Sequence, residues 1–573
     1  MKLIKLSFLF LLLFAFSCST KSPSEQLQSL IVEYETERKY DFDEEKTLEN
    51  AIKYYESEAK YAEDLINKLE KIDTKNLSET DKISHELLIF ILKDKISQHQ
   101  FKTYLNPITS EFAFHLNLGR MGNKSFKNED DVKKYFENLK ELPKKIDYNL
   151  SLLRAGVKEG ISQPKAVFNN YDETYNKHII DDVTKSDFYK PFLRLPESLS
   201  KEKKDSILTA AKVSVQKNAV DQYKNIKDFF EKEYFPNTRK GLGVSTVPNG
   251  KEFYQNRINF YTTSNKYTAK DIHEIGLKEV ARIKAEMEQI IKELNFKGSF
   301  ADFLQFLRTD EQFYAKSPKE LLMFARDISK RIDAELPKFF KTLPRKPYGV
   351  VPVPAAIAPN YTGGRYSGSY SDDTAGFYWV NTYNLPSRTL YTIPALTAHE
   401  AVPGHHLQIS LNNELPKTIP QFRRNLYLSA YGEGWGLYSE YLVDEMDIYT
   451  TPYEKFGQLT YEMWRACRLV VDTGVHALGW TRQQVLDYMA SNTALSLHEV
   501  RTETDRYISW PGQALSYKIG EIKIRQLRKE AEKALGDKFN IRDFHEIILE
   551  EGTVTLSIMD KRVKKYIESK KNE

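Results

Sequence analysis

Cysteine is nearly absent: 573 residues contain two, Cys18 and Cys467. Two cysteines cannot build a disulfide framework, and the chain must rely on its hydrophobic core. An excess of charge is lacking too. The formal net charge is +4, no basic stripe with glycine–aromatic motifs occurs, and nucleic acid is thereby excluded as a partner. Apolar residues at 41% and charged residues at 29% fit neither a disordered chain nor a membrane bundle. There is no internal repeat of 20 to 50 residues, no Gly-x-Ser-x-Gly elbow and no phosphate-binding loop. Serine-hydrolase and nucleotide chemistry lose their usual signatures.

What is present begins at the N-terminus. Lys2 and Lys5 precede an apolar run, Leu6 to Phe16, too short to span a bilayer, which needs about 20 residues. Basic front and short apolar run have the form of a secretory signal. The run ends at Ala15-Phe16-Ser17-Cys18, a loose lipobox with Cys18 as the lipidated residue. We expect a signal peptide over 1–17, a polar tether over 18–25, and a bacterial cell-envelope protein in the periplasm or on the outer membrane, held by its lipid.

Most of the remainder reads as helix. Leu48, Ile52, Tyr55, Ala59, Ala62, Ile66 and Leu69 recur at three- and four-residue steps, and Thr268 with Asp271 forms a capping-box pattern ahead of the stripe Val280, Ile283, Met287, Ile290 and Leu294. Prolines between Leu336 and Gly364 require an extended or looped stretch. Gly376 to Thr382, rich in aromatic and β-branched residues, is the best strand candidate. The expected fold is mainly α, a large helical bowl with a small sheet beside the catalytic helices. A helical lobe over 26–345 and a second lobe over 346–573 divide the chain.

Three of eleven histidines fall within Thr397 to Gln408: His399, His405 and His406. Glu400 follows the first, placed to take a proton from a metal-activated water. Zinc takes nitrogen, oxygen or sulfur ligands in a near-tetrahedral array. On a regular helix His405 points away from His399, and His406 lies about 10 Å along the axis. A shared metal therefore requires the distortion that Pro403-Gly404 permits, and spacing alone leaves His405 and His406 open. Twenty-eight residues after His405 comes Glu433, crowded by glycines that allow close helix approach, with Glu440 seven residues further on a similar face.

The stretch His399 to Gln408 resembles the HExxPGHxxQ signature of the bacterial domain-of-unknown-function 885 family. Further matches lie in Tyr267 through Arg282, Gly432 to Trp435, Arg506-Tyr507, and Pro511 to Tyr517. The resemblance covers roughly residues 40 to 565. It implies a helical architecture similar to gluzincin-like metallopeptidases such as carboxypeptidase Taq and thimet oligopeptidase. It selects His405 as second ligand and Glu433 as third, implies Zn²⁺ as cofactor, and places a hydroxyl donor to the transition state in the segment ending at Tyr517.

The resulting expectation is a zinc peptidase acting on short peptides. His399, His405 and Glu433 bind the metal, Glu400 is the base and Tyr517 the oxyanion donor. Arg506, Tyr507 and His476 contact substrate, Arg506 through its forked donors to a terminal carboxylate. His476 also reads as a core histidine, with Asp472 four residues earlier positioned to partner it. Cys467 reads as buried packing. Two other functions fit the same residues: a catalytically inactive peptidase-like binding lipoprotein, and a metal-dependent hydrolase of another amide or ester.

Overall fold

The computed structural model describes residues 21–37, 46–355, 357–369, 371 and 373–572. The expected signal peptide, Cys18 and the start of the expected tether lie outside the described residues. Among the described residues no helix is long and apolar enough to cross a membrane.

The fold is mainly α with one small sheet. Helix α1 (Leu48–Leu69) begins where the Thr47 side chain accepts from the Asn50 amide, and it buries Ala51, Ala59, Ala62, Leu65, Ile66 and Leu69. Ile52, expected in the buried stripe, is 41% exposed because Ala51 faces the core instead. Helix α2 (Ala269–Glu293) opens with the expected capping box: the Thr268 amide donates to Asp271, and the Asp271 amide donates to Thr268. Its stripe of Val280, Ile283, Met287 and Ile290 is buried.

Helix α3 (Pro318–Phe339) runs through Pro337 before it stops. A proline in the final turn removes only one ladder bond, so the helix ends three residues beyond the expected break at Leu336. The proline-rich stretch that follows holds β1 (Tyr348–Pro352). It pairs in parallel with β3 (Gly376–Val380), and β2 (Gly364–Ser367) pairs antiparallel on the other side of β3. The expected strand at 376–382 is thus the central one, shorter by two residues. Asn381 ends it: its buried side-chain amide donates to the carbonyls of Ala358, Tyr361 and Thr362.

Beyond the sheet come α4 (Ile393–Glu400), α5 (His405–Asn413), α6 (Ser429–Leu442), α7 (Pro452–Leu478), α8 (Leu497–Ser509) and α9 (Leu515–Leu535). Two large hydrophobic clusters form the core, and each draws side chains from both sides of the proline-rich stretch. Leu27 and Leu87 share one with Trp435 and Ile567; Leu139 and Phe230 share the other with Met463 and Ile508. Cys467 is fully buried in the second cluster.

Candidate metal centre

Every residue of α4 is buried, so the helix passes through the interior and delivers His399 and Glu400 at its C-terminal end. The chain then folds back. The Gly404 amide donates to Ala398 O at 2.9 Å, the His406 amide donates to Ala401 O at 3.0 Å, and α5 starts at His405. A Cβ at Gly404 would lie 1.9 Å from His399 O and 2.4 Å from Ala398 O, so only glycine allows this return. The Trp435 indole donates to Pro403 O at 2.8 Å and holds the turn from outside. The two imidazole rings consequently meet nearly edge to face, 4.7 Å apart.

Helix α6 supplies the third group. Its glycines are there for proximity: a Cβ at Gly436 would sit 2.7 Å from the His399 ring, and one at Gly434 would sit 2.6 Å from Gly520 Cα of α9. Glu433 Oε2 lies 3.4 Å from His399 Nε2 and 3.4 Å from His405 Nε2. These distances exceed an ordinary hydrogen bond. They match the edge of a tetrahedron around an ion with ligands at about 2.1 Å, which is about 3.4 Å. His399, His405 and Glu433 form a group whose ligand atoms all lie within 4.8 Å of one another. Two imidazole nitrogens and one carboxylate oxygen are a donor set suited to zinc, with a fourth position left for water or substrate.

The electrostatics favour a cation there. Burial opposes the charged form of His399, yet the neighbouring carboxylates of Glu433 and Glu440 raise its pKa to about 10. Burial likewise pushes the Glu433 carboxyl up, and the two flanking imidazoles hold it well below the usual carboxylate range. A site that concentrates positive charge on one proton offers the same attraction to a metal ion, which competes with that proton.

Further polar groups surround the three and hold them in place. Glu440 Oε1 is 2.7 Å from His399 Nδ1, which fixes the ring with Nε2 facing Glu433. Arg465 lies 3.4 Å from the same oxygen. The Tyr427 hydroxyl donates to Glu433 Oε1 at 2.8 Å, and the Tyr366 amide on β2 donates to Glu400 Oε2 at 2.7 Å. The seven-residue step from Glu433 to Glu440 was a legible signal; Tyr366 and Tyr427 left none.

His406 is held elsewhere. Its Nδ1 faces the Tyr366 hydroxyl, its Nε2 faces Lys346 O, and burial lowers its pKa to about 4. Geometry thus pairs His405 with His399. Tyr517 lies on α9 one turn before Gly520, with its hydroxyl 3.4 Å from Arg506 Nη2. Arg506 also donates to Gln513 Oε1 at 2.9 Å and lies 3.4 Å from Glu503 Oε1.

Two expected substrate contacts are enclosed and fully partnered. The Tyr507 hydroxyl accepts from Trp464 and Arg468 and donates to Glu503. His476 accepts from the Val244 amide and faces Tyr507 O through its other nitrogen. Neither has a polar atom left for a ligand. Asp472 does not partner His476: it accepts from the Tyr254 hydroxyl at 2.6 Å and from the Gly512 amide at 3.2 Å.

Fold and site together define a mainly helical protein with a largely buried two-histidine, one-glutamate cluster. The chain belongs to the DUF885 family, bacterial proteins of unknown function, whose profile matches residues 39–563. Its fold is similar to that of a candidate lipoprotein from Colwellia psychrerythraea, with 25% identity, a TM-score of 0.84, and coverage of 96% of this chain and 100% of that one. A candidate lipoprotein of unknown function from Shewanella oneidensis is 17% identical, with a TM-score of 0.69 over 95% of this chain and 99% of that one. No curated protein matches the sequence.

Proposed function

We propose that this chain is a zinc-dependent peptidase acting on short peptides in the bacterial cell envelope, where a lipid on Cys18 anchors it. The observation that carries the reading is the triangle of His399, His405 and Glu433, with Glu433 Oε2 equidistant at 3.4 Å from two imidazole nitrogens. When bound there, zinc would polarise the scissile carbonyl and lower the pKa of water. Glu400, its carboxylate oriented by the Tyr366 amide, removes a proton from the attacking water. The water oxygen joins the carbonyl carbon, the carbon–nitrogen bond breaks, and Glu400 passes the proton to the departing amine. Tyr517 donates a hydrogen bond to the carbonyl oxygen as negative charge develops on it. The envelope location is supported by the lipoprotein assignment of the Colwellia relative and by the leader ending at Cys18.

Metal analysis and turnover of a small peptide panel test the proposal. We expect one zinc per chain, and a Glu400→Gln protein that keeps the zinc but cleaves on the order of 10²–10⁴ times more slowly. Full activity in Glu400→Gln excludes Glu400 as the base. Purified protein without stoichiometric zinc favours the binding-lipoprotein function, and cleavage of esters or other amides but no peptide favours the broader hydrolase.

A further inference from the structure

Beside the metal cluster the structure collects three guanidinium groups with more donors than partners. Arg465 and Arg468 lie one turn apart on α7, 5% and 2% exposed, and Arg506 reaches them from α8. Arg465 spends Nη1 on Tyr461 O and sets Nη2 3.4 Å from Glu440. Arg468 donates through Nε to Tyr507 and through Nη2 to Glu503. Arg506 uses both terminal nitrogens on Glu503, Gln513 and Tyr517. Arg465 Nε, Arg468 Nη1 and Arg506 Nε remain buried without a partner among the described residues.

The carboxylates nearest the three arginines are shared between them or committed elsewhere. Two carboxylates bond directly to the three arginines: Glu503, shared between Arg468 and Arg506, and Glu440, already committed to His399. The exposed carboxylate of Glu111 also lies in the field of Arg506, Arg365 and Arg468, on a loop tied to the end of α8 by the Ser110 amide donating to Ser509. Leaving buried guanidinium donors unpaired costs free energy, so such a cluster is suited to an anion that the chain itself does not provide.

The three groups converge on Tyr517. The Arg468 guanidinium lies 4.3 Å from its ring centroid and that of Arg465 5.9 Å, and Arg506 Nη2 is 3.4 Å from its hydroxyl. Arg465 connects this convergence to the metal cluster through one residue, Glu440, which bonds His399 at 2.7 Å. Through that carboxylate Arg465 stands no more than about 6 Å from the His399 ring, and an extended peptide residue spans about 3.5 Å, so an anion held by these arginines lies a few residues along a peptide from the metal cluster. Guanidinium forks fit the planar geometry of a carboxylate.

We propose that Arg465, Arg468 and Arg506 seat the C-terminal carboxylate of the substrate, so that cleavage releases short fragments from free carboxyl ends. The inference rests on the peptidase reading and narrows it to one end of the peptide.

The test uses the zinc-loaded Glu400→Gln protein, which binds without turning over, titrated calorimetrically with tetra-alanine and with its C-terminal amide. The free acid is expected to bind at least tenfold more tightly than the amide. Arg506→Gln, added to the same protein and checked for unchanged zinc content and melting temperature, is expected to abolish that preference. Equal affinity for acid and amide, or no measurable binding of either, overturns the inference. Turnover by the unsubstituted protein separates the two levels. Cleavage of the amide as fast as the acid leaves a peptidase without a carboxylate seat. Preferential binding of the acid with no cleavage leaves a carboxylate seat on a protein that is not a peptidase.

Discussion

At the scale of single residues the most informative side chain is Glu440. It is fully buried, and its Oε1 lies 2.7 Å from His399 Nδ1. A carboxylate in that position fixes the tautomer and orientation of a metal-binding imidazole and raises its basicity. Glu440→Gln is nearly isosteric and removes the charge, so zinc affinity should fall about 10–100-fold with the helices intact. Competition with a chromophoric chelator measures this, and unchanged affinity would remove Glu440 from the site. The residue was only half legible beforehand. Its spacing put it on the face of Glu433, but nothing in a sequence separates a buried carboxylate from a solvated one. Arg465 and Arg468 are illegible for the same reason, since arginines at helical spacing read as surface. His476 and Asp472 show the opposite error: a four-residue step suggested a pair, whereas Asp472 turns to Tyr254, 218 positions away.

At the scale of elements the site depends on how closely helices can approach. Gly434 of α6 and Gly520 of α9 face each other. A Cβ on Gly520 would lie 2.1 Å from Ala430 O and 2.7 Å from Gly434 Cα, both backbone atoms that yield only if a helix moves. Gly520→Ala should therefore destabilise by about 1–3 kcal/mol and displace Glu433, which adjoins Gly434, from the two imidazoles. We expect a lower melting temperature together with weaker zinc binding. A Gly520→Ala protein that melts and binds zinc like the parent would show that the contact has slack. Local chemistry was the legible part here. The Thr268–Asp271 capping box and the strand at Gly376 depend on neighbours in sequence, and both formed. A break at Pro403-Gly404 was readable too, but its direction was not: the return of α5 is set by contacts to Ala398 O and by Trp435 of α6, groups that only the folded chain assembles.

At the scale of the whole molecule, distant segments are held to the site by buried polar contacts, and one of these makes stability depend on pH. Asp472 of α7 is fully buried. The groups facing it are the Tyr254 hydroxyl, from the helix Gly250–Tyr261, and the Gly512 amide, just ahead of α9. Neither carries a charge, and burial outweighs their hydrogen bonds, raising the carboxyl to about 7. In the unfolded chain it titrates near ~3.9. The folded-state value is thus the higher one, and between the two the folded protein holds a proton that the unfolded chain has released. This group's contribution is greatest below about pH 4 and is lost as pH rises to about 7, a fall on the order of a few kcal/mol. Above that range the fold carries a buried ionised carboxylate and the dependence levels off. Asp472→Asn has no proton to lose, so its melting temperature minus that of the parent should rise between pH 5 and pH 8. Other carboxylates and histidines titrate equally in both proteins and cancel in the difference. Parallel melting curves across that range would mean that Asp472 is ionised in the folded protein throughout, and that the segment around Gly512 is anchored by a charge rather than by a proton.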